Sequence, residues 1–235
     1  MPSFSDFLSK MMGMENARIL FLTTTEIKTN EERLFHFLSP ERAQQARSYA
    51  QEKDRLLSLG AGYFLRKYVH APIRKNPFGK LEAEGQFFSL SHSGDKVVFL
   101  LSPCPCGVDI ETREKLLPGL KEYAFSKEEA LHLKTERELL LAWTRKEALA
   151  KAEGSGLSTT PLPRIPSKEG EVEYKGKRYQ VLSLEYGLLS CCLSCAFLKK
   201  EKGTDSFSPS LTHEAICFDQ TSSGSFFSSS GSFLK

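Results

Sequence analysis

The sequence predicts an α+β fold built as a pseudo-twofold pair of similar α+β halves. Three observations carry the prediction. Strand-like runs and amphipathic helical stretches follow one another along most of the chain. Two of the helix starts are marked by capping boxes, at Ser126/Glu129 and Thr135/Glu138. A helix followed by a hairpin also reads twice along the chain, the run "FFSLSHSGDKVVFLLS" echoed in pattern by "RYQVLSLEYGLLSCCLS". The join falls near Gly107, which divides the chain into an N-terminal half (1–106), a C-terminal half (107–202) and a tail (203–235).

The run "RILFLTT" reads as the first strand. Ser39-Pro40-Glu41 is a helix start, with a Ser cap and Pro at the first helical position. It opens a long or broken helical region extending to Val69. "HAPIRKNPFGK", with two prolines and a glycine, reads as a loop. Two β-rich runs flank Ser93-Gly94-Asp95 as a hairpin, and "CGVDIE" is a further short strand. The Thr135 box opens a helix that Gly154 ends. A Pro-rich connector (Pro161, Pro163, Pro166) leads to a turn at Lys175-Gly176 and a hairpin around Tyr186-Gly187. From Gly203 the composition turns Ser-rich and poor in aliphatics, and a mobile tail is expected.

The 235 residues are 40% apolar and 26% charged, an ordinary globular composition. A net charge of +3 with no clustered basic stripe argues against nucleic acid. No secretory signal and no apolar run of about 20 residues is visible, so a soluble, cytoplasmic protein is expected. Six cysteines lack the paired spacing of a structural zinc site, and Cys191, Cys192 and Cys195 read as small hydrophobes in a strand. A structural protein with a Cys-bound metal is the more distant alternative.

Two stretches carry chemistry. In an extended "GVDIE", Asp109 and Glu111 project together while Val108 and Ile110 face the other way. Paired carboxylates repel unless a proton or cation sits between them, and hard oxygen ligands suit Mg²⁺. On the helix, Trp143, Glu147 and Lys151 recur at intervals of four and form one stripe. Taken alone, Glu147 and Lys151 are a surface pair worth ~0.2–0.5 kcal/mol. If the stripe faces Asp109 and Glu111, Glu147 supplies a third carboxylate and Lys151 meets a metal-bound phosphate. Trp143 then holds the helix against the sheet. Ser91 and His92 end a strand, and Lys80 and Arg55 are isolated cations.

In order and spacing, Arg55, "FGK", "SLSHSG", "GVDIE" and "WTRKEALAKAEGSGL" resemble the 4′-phosphopantetheinyl transferases of the surfactin-synthetase-activator type, from Arg55 to Leu157. The last block is the most specific, matching at Trp143, Lys146, Glu147, Lys151, Gly154, Gly156 and Leu157. The resemblance implies transfer of the phosphopantetheine arm of coenzyme A to a serine of an acyl or peptidyl carrier protein, with release of 3′,5′-ADP. It implies an active site in a cleft between two α+β halves, Mg²⁺ as cofactor, no membrane or nucleic-acid partner, and a monomer. It makes Asp109, Glu111 and Glu147 the metal ligands, Glu147 also the base, and Lys151 the group at the leaving diphosphate. Ser91, His92, Lys80 and Arg55 become phosphate contacts, with Arg42 an extra one and Lys146 in a supporting role. Tyr123, Ala124 and Phe125 become the apolar carrier contact. Leu81 stands where the family has Pro, and a looser loop is expected there. Ile110, between the two acids, has no ligating atom. The alternative from a different class is a non-catalytic coenzyme A or nucleotide-binding module of the same fold.

Overall fold

The structure is a computed structural model describing residues 17–157, 165–186, 191–199 and 211–215. Two four-stranded sheets form its centre. β1 (Ala17–Thr23), β4 (Phe87–Ser93), β5 (Lys96–Ser102) and β10 (Leu211–Ala215) make the first, in the order β10-β1-β5-β4. β6 (Cys106–Glu111), β7 (Gly170–Tyr174), β8 (Lys177–Tyr186) and β9 (Cys191–Leu198) make the second, in the order β6-β9-β8-β7. Between β1 and β4 lie α1 (Thr24–Thr29), α2 (Glu31–Phe37), α3 (Pro40–Arg47), α4 (Glu52–Tyr68) and a hairpin of β2 (Ile73–Lys75) and β3 (Leu81–Ala83). Between β6 and β7 lie α5 (Leu120–Ala124), α6 (Lys127–His132) and α7 (Glu136–Glu153). No helix among the described residues is long and apolar enough to cross a membrane.

The period of two in the strands builds the layers. On β1 and β5, Leu20, Leu22, Val97 and Phe99 pack under α4 with Leu59, Tyr63 and Phe64. The stacked Phe64 and Phe99 rings lie 5.4 Å apart, a contact worth ~0.5–1.5 kcal/mol beyond its area. The alternate residues Ala17, Ile19, Val98 and Leu100 meet the second sheet through Val108, Ile110, Leu193, Cys195 and Phe197. The far face of the second sheet, with Tyr179, Val181 and Ala196, takes Ala148, Leu149 and Ala152 of α7. The result is helix, sheet, sheet, helix. Cys191, Cys192 and Cys195 are buried in β9, Cys106 is buried in β6 and Cys104 is half-buried between the sheets; none of the five is in a disulfide.

Most predicted boundaries are realised. Ser39 caps α3, and the boxes at Ser126 and Thr135 cap α6 and α7. Lys175 and Gly176 turn β7 into β8, and the chain passes between sheets from Ser102 to Cys106. Two differences stand out. "HAPIRKNPFGK" is no plain loop: Ile73–Lys75 pairs with Leu81–Ala83, so Leu81 sits in a strand rather than a loosened loop. Within the expected tail, Leu211–Ala215 forms a parallel strand on β1. Its short length hides the alternation that would mark it as a strand. The rest of the tail, Cys217 and the prolines at 161 and 163 lie outside the described residues.

Candidate active site

The site forms where β4, the edge of the first sheet, meets β6, the edge of the second. Ser89, Ser91 and Ser93 alternate on one face of β4, and each reaches β6. Ser89 Oγ accepts from the Val108 N–H (3.0 Å), Ser91 Oγ donates to Asp109 Oδ1 (2.8 Å), and Ser93 Oγ donates to Glu111 Oε1 (2.6 Å). With Cys106, Val108 and Ile110 turned into the core between the sheets, Gly107, Asp109 and Glu111 face α7.

Gly107 brings α7 close. A Cβ there would lie 2.0 Å from the Ala148 carbonyl oxygen and 2.5 Å from the Ala152 nitrogen, so helix backbone rests on strand backbone. Trp143 packs between the α7–sheet core and the cluster of Ala124, Phe125 and Leu139, and fixes the rotation of the helix. Glu147 and Lys151 consequently come over β6. Lys151 Nζ lies 2.7 Å from Asp109 Oδ1, 3.1 Å from Ser91 Oγ and 3.9 Å from Glu147 Oε2.

The electrostatics follow from this crowding. Burial pushes the Glu147 carboxyl up to about 7, Asp109 adds repulsion, Lys151 opposes it and Glu111 adds a little more. Asp109 is raised too, by burial first, against the pull of Lys151 and Ser91. The three acids therefore share one neighbourhood and feel one another. Glu111 is held by Ser93, by the Arg113 N–H (3.0 Å) and by the Arg113 guanidinium (3.3 Å).

Toward a divalent cation, the donor set is hard oxygen and the local charge is in mutual repulsion, which suits Mg²⁺. In the side-chain arrangement seen here, Lys151 neutralises Asp109 directly. Among the described residues no group of three or more His, Cys, Asp or Glu side chains is disposed to hold a metal ion. A cation at Asp109 would have to displace the Lys151 ammonium from that carboxylate.

Beside this cluster lies a cavity of about 380 Å³, walled by Phe78–Leu81 of the β2–β3 hairpin, Phe88–Leu90 of β4, and Glu147, Ala150, Lys151 and Gly154 of α7. Lys80 lines it, its ammonium 3.5 Å from the Cys106 carbonyl and its pKa lowered by burial. His92 projects from β4 on the face opposite Ser91. Partial desolvation and then the Lys151 cation lower its pKa, and Lys53 and Asp54 of α4 also act on it.

Other expected residues lie elsewhere. Arg55 turns from the cleft to Glu31 of α2, at 2.9 Å. Arg42 spans α3 and α4, donating to the Ser58 carbonyl (3.0 Å) and to Gln45. Ala124 and Phe125, expected as carrier contacts, are buried against Leu139 and Ala142; Tyr123 is 47% exposed. Lys146 is fully buried, 2.8 Å from Glu129, bonded also to the Ile165 carbonyl, and 5.3 Å from the Phe125 ring centre. Sequence reasoning missed Ser93, which bonds Glu111. Ser93 was recoverable, since it repeats the alternation of Ser89 and Ser91 opposite Asp109 and Glu111.

Residues 105–180, which hold Asp109, Glu111, Glu147 and Lys151, match the 4′-phosphopantetheinyl transferase superfamily. The chain resembles that family. It is 28% identical over 145 residues to the 4′-phosphopantetheinyl transferase ffp of Bacillus subtilis, covering 54% of this chain and 65% of the relative. It is 30% identical over 144 residues to 4′-phosphopantetheinyl transferase gsp of Aneurinibacillus migulanus, covering 53% and 61%. To 4′-phosphopantetheinyl transferase Sfp of Bacillus subtilis strain 168 it is 27% identical over 145 residues, covering 54% and 65%. The chain spans less than two thirds of the length of these curated relatives.

Proposed function

We propose that this protein transfers the 4′-phosphopantetheine arm of coenzyme A to a serine of an apo acyl or peptidyl carrier protein. The observation that carries the reading is the meeting of Asp109, Glu147 and Lys151 across the β6–α7 contact, beside a cavity large enough for part of a nucleotide. The carrier serine hydroxyl attacks the phosphorus that bears the pantetheine arm. The bond from that phosphorus to the bridging oxygen breaks, and 3′,5′-ADP leaves. Glu147 takes the serine proton, directly or through water. Lys151 meets the charge that builds on the bridging oxygen as it leaves with the 5′-phosphate of 3′,5′-ADP. Ser91, His92 and Lys80 hold the coenzyme A phosphates, Lys80 from the hairpin wall. Arg55 anchors α4 to α2 and is given no nucleotide contact.

Asp109, Glu111 and Glu147 would hold Mg²⁺, with the Lys151 ammonium released from Asp109 to the phosphate. When bound, the ion supplies charge neutralisation at the pyrophosphate. The two halves, each a long helix on a four-stranded sheet, are read as a pseudo-twofold pair with this site between them. What supports this is the parallel placement of α4 and α7 on the outer sheet faces.

The test is incubation with coenzyme A, Mg²⁺ and an apo-carrier, with intact-mass detection of the phosphopantetheine adduct. Glu147→Ala is expected to abolish the adduct while folding normally. An adduct formed at near-normal rate by that variant refutes the catalytic assignment. Coenzyme A binding by the unaltered protein without any transfer supports the non-catalytic module instead.

A further inference from the structure

The β2–β3 hairpin forms one wall of the cavity yet has little core to hold it. Every residue of β2 is exposed, as are Pro77, Phe78 and Gly79. Asn76 and Lys80 are the partly buried positions around that turn. A segment with few buried apolar contacts opens easily unless something pins it.

Asn76 uses both ends of its amide. Oδ1 accepts from the backbone N–H groups of Phe78 and Lys80, each at 3.0 Å. Nδ2 donates to the Gly154 carbonyl at 2.8 Å and to Glu82 Oε1 at 3.0 Å. Two N–H donors on one side and two acceptors on the other fix which end of the amide is which. Gly154 is the left-handed cap of α7 (φ 89°), three residues beyond Lys151, and its carbonyl lies where helix ends leave acceptors unmet. The Asn76–Gly154 bond therefore ties the hairpin that walls the cavity to the end of the helix that carries Glu147 and Lys151.

We propose that Asn76 is a positioning residue: its Nδ2 pins the hairpin to the end of α7 and so sets the width of the cavity that takes coenzyme A. This rests on the transferase reading of the cavity. The two ends of the amide have separable jobs. Oδ1 shapes the turn within the hairpin, and Nδ2 spans to α7. Asn76→Asp keeps the acceptors and removes the donors, so a purely turn-forming role predicts little change in ligand affinity.

The experiment measures coenzyme A binding by calorimetry and steady-state transfer to an apo-carrier, for the unaltered protein and Asn76→Asp. Loss of the pin is expected to raise both Kd and KM for coenzyme A about tenfold, with a smaller change in kcat and none in KM for the carrier. Hydrogen exchange of the Phe78–Lys80 amides should quicken. If Asn76→Asp fails to fold beside Glu82, Asn76→Ser carries the same test, since its hydroxyl accepts within the turn but is too short to reach Gly154. Unchanged coenzyme A affinity in the folded variant, or a fall in kcat with KM unmoved, overturns the proposal. An unaltered protein that binds no coenzyme A refutes the functional reading itself, and the pin falls with it.

Discussion

Gly107→Ala should disable the site without replacing any side chain that does chemistry. The added Cβ would lie 2.0 Å from the Ala148 carbonyl oxygen, 2.5 Å from the Ala152 nitrogen and 2.9 Å from Lys151 Cβ. All three atoms belong to α7 and none is the far end of a flexible side chain, so the helix must move as a body. Restoring ordinary contact at 3.4 Å asks for a shift of ~1.4 Å. Such a shift takes Lys151 Nζ from 2.7 Å to roughly 4 Å from Asp109 Oδ1, outside hydrogen-bond range. A misplacement of about 1 Å at a reacting centre costs on the order of a hundredfold in rate, and overpacking of this kind costs ~1–3 kcal/mol of stability. The assay is kcat/KM for arm transfer, followed with thermal unfolding of the same preparation. A fall of about a hundredfold in a protein that still unfolds cooperatively is the expected result. A variant within twofold of the unaltered protein would refute the argument that helix-to-strand contact aims Glu147 and Lys151.

Lys146→Met removes one partner of a buried ion pair and should cost ~3 kcal/mol in denaturant unfolding, part of which Lys146→Met combined with Glu129→Gln recovers. Burial pushes the Glu129 carboxyl up, but Lys146, the Ser126 N–H and Ser167 outweigh it, and the net pKa is lowered. The unfolded chain therefore takes up this proton first: the stabilisation is full above the unfolded value of about 4.3 and is lost as pH falls through the lower folded value. Unfolding midpoints measured from pH 6 to pH 2 should accordingly fall less steeply in Glu129→Gln. Tyr123→Ala should raise KM for the carrier severalfold with coenzyme A KM unchanged, whereas Phe125→Ala, 4% exposed, should cost ~3–5 kcal/mol of stability; a reversed pattern would restore Phe125 as the carrier contact.

The contrast between Tyr123 and Phe125 shows what sequence could and could not reveal. Spacing along one element was readable. Asp109 and Glu111 face together because a strand alternates, and Glu147 and Lys151 align because a helix turns through 3.6 residues. Caps were readable for the same reason, since Ser126, Thr135 and Gly154 act within a turn or two of themselves. Contacts between distant elements were not. Nothing local sends Arg55 to Glu31 rather than to a phosphate, or buries Phe125 under Leu139 while leaving Tyr123 outside. Lys146 neighbours the stripe residue Glu147 in sequence only, and nothing local announces its burial against Glu129 and the Ile165 carbonyl. Asn76 lay in a stretch read as loop, where a two-ended amide looks like any turn former.

The site and the fold depend on the same seam. Ser89, Ser91 and Ser93 join the edge of one sheet to the edge of the other, and two of the three do so by donating to Asp109 or Glu111. Those hydrogen bonds hold the two sheets together, and the one from Ser91 also favours the ionised Asp109 that burial opposes. Removing the acids therefore has two effects of opposite sign. It relieves repulsion among Asp109, Glu111 and Glu147, and it takes from Ser91, Ser93 and Lys151 their carboxylate partners. Among the described residues Lys151 reaches both Asp109 and Glu147 while Arg113 reaches Glu111, so these two cations are the counter-charge that lets the three acids sit together. The residue proposed to meet the leaving phosphate is thus also one that makes the cluster tolerable in the protein without ligand.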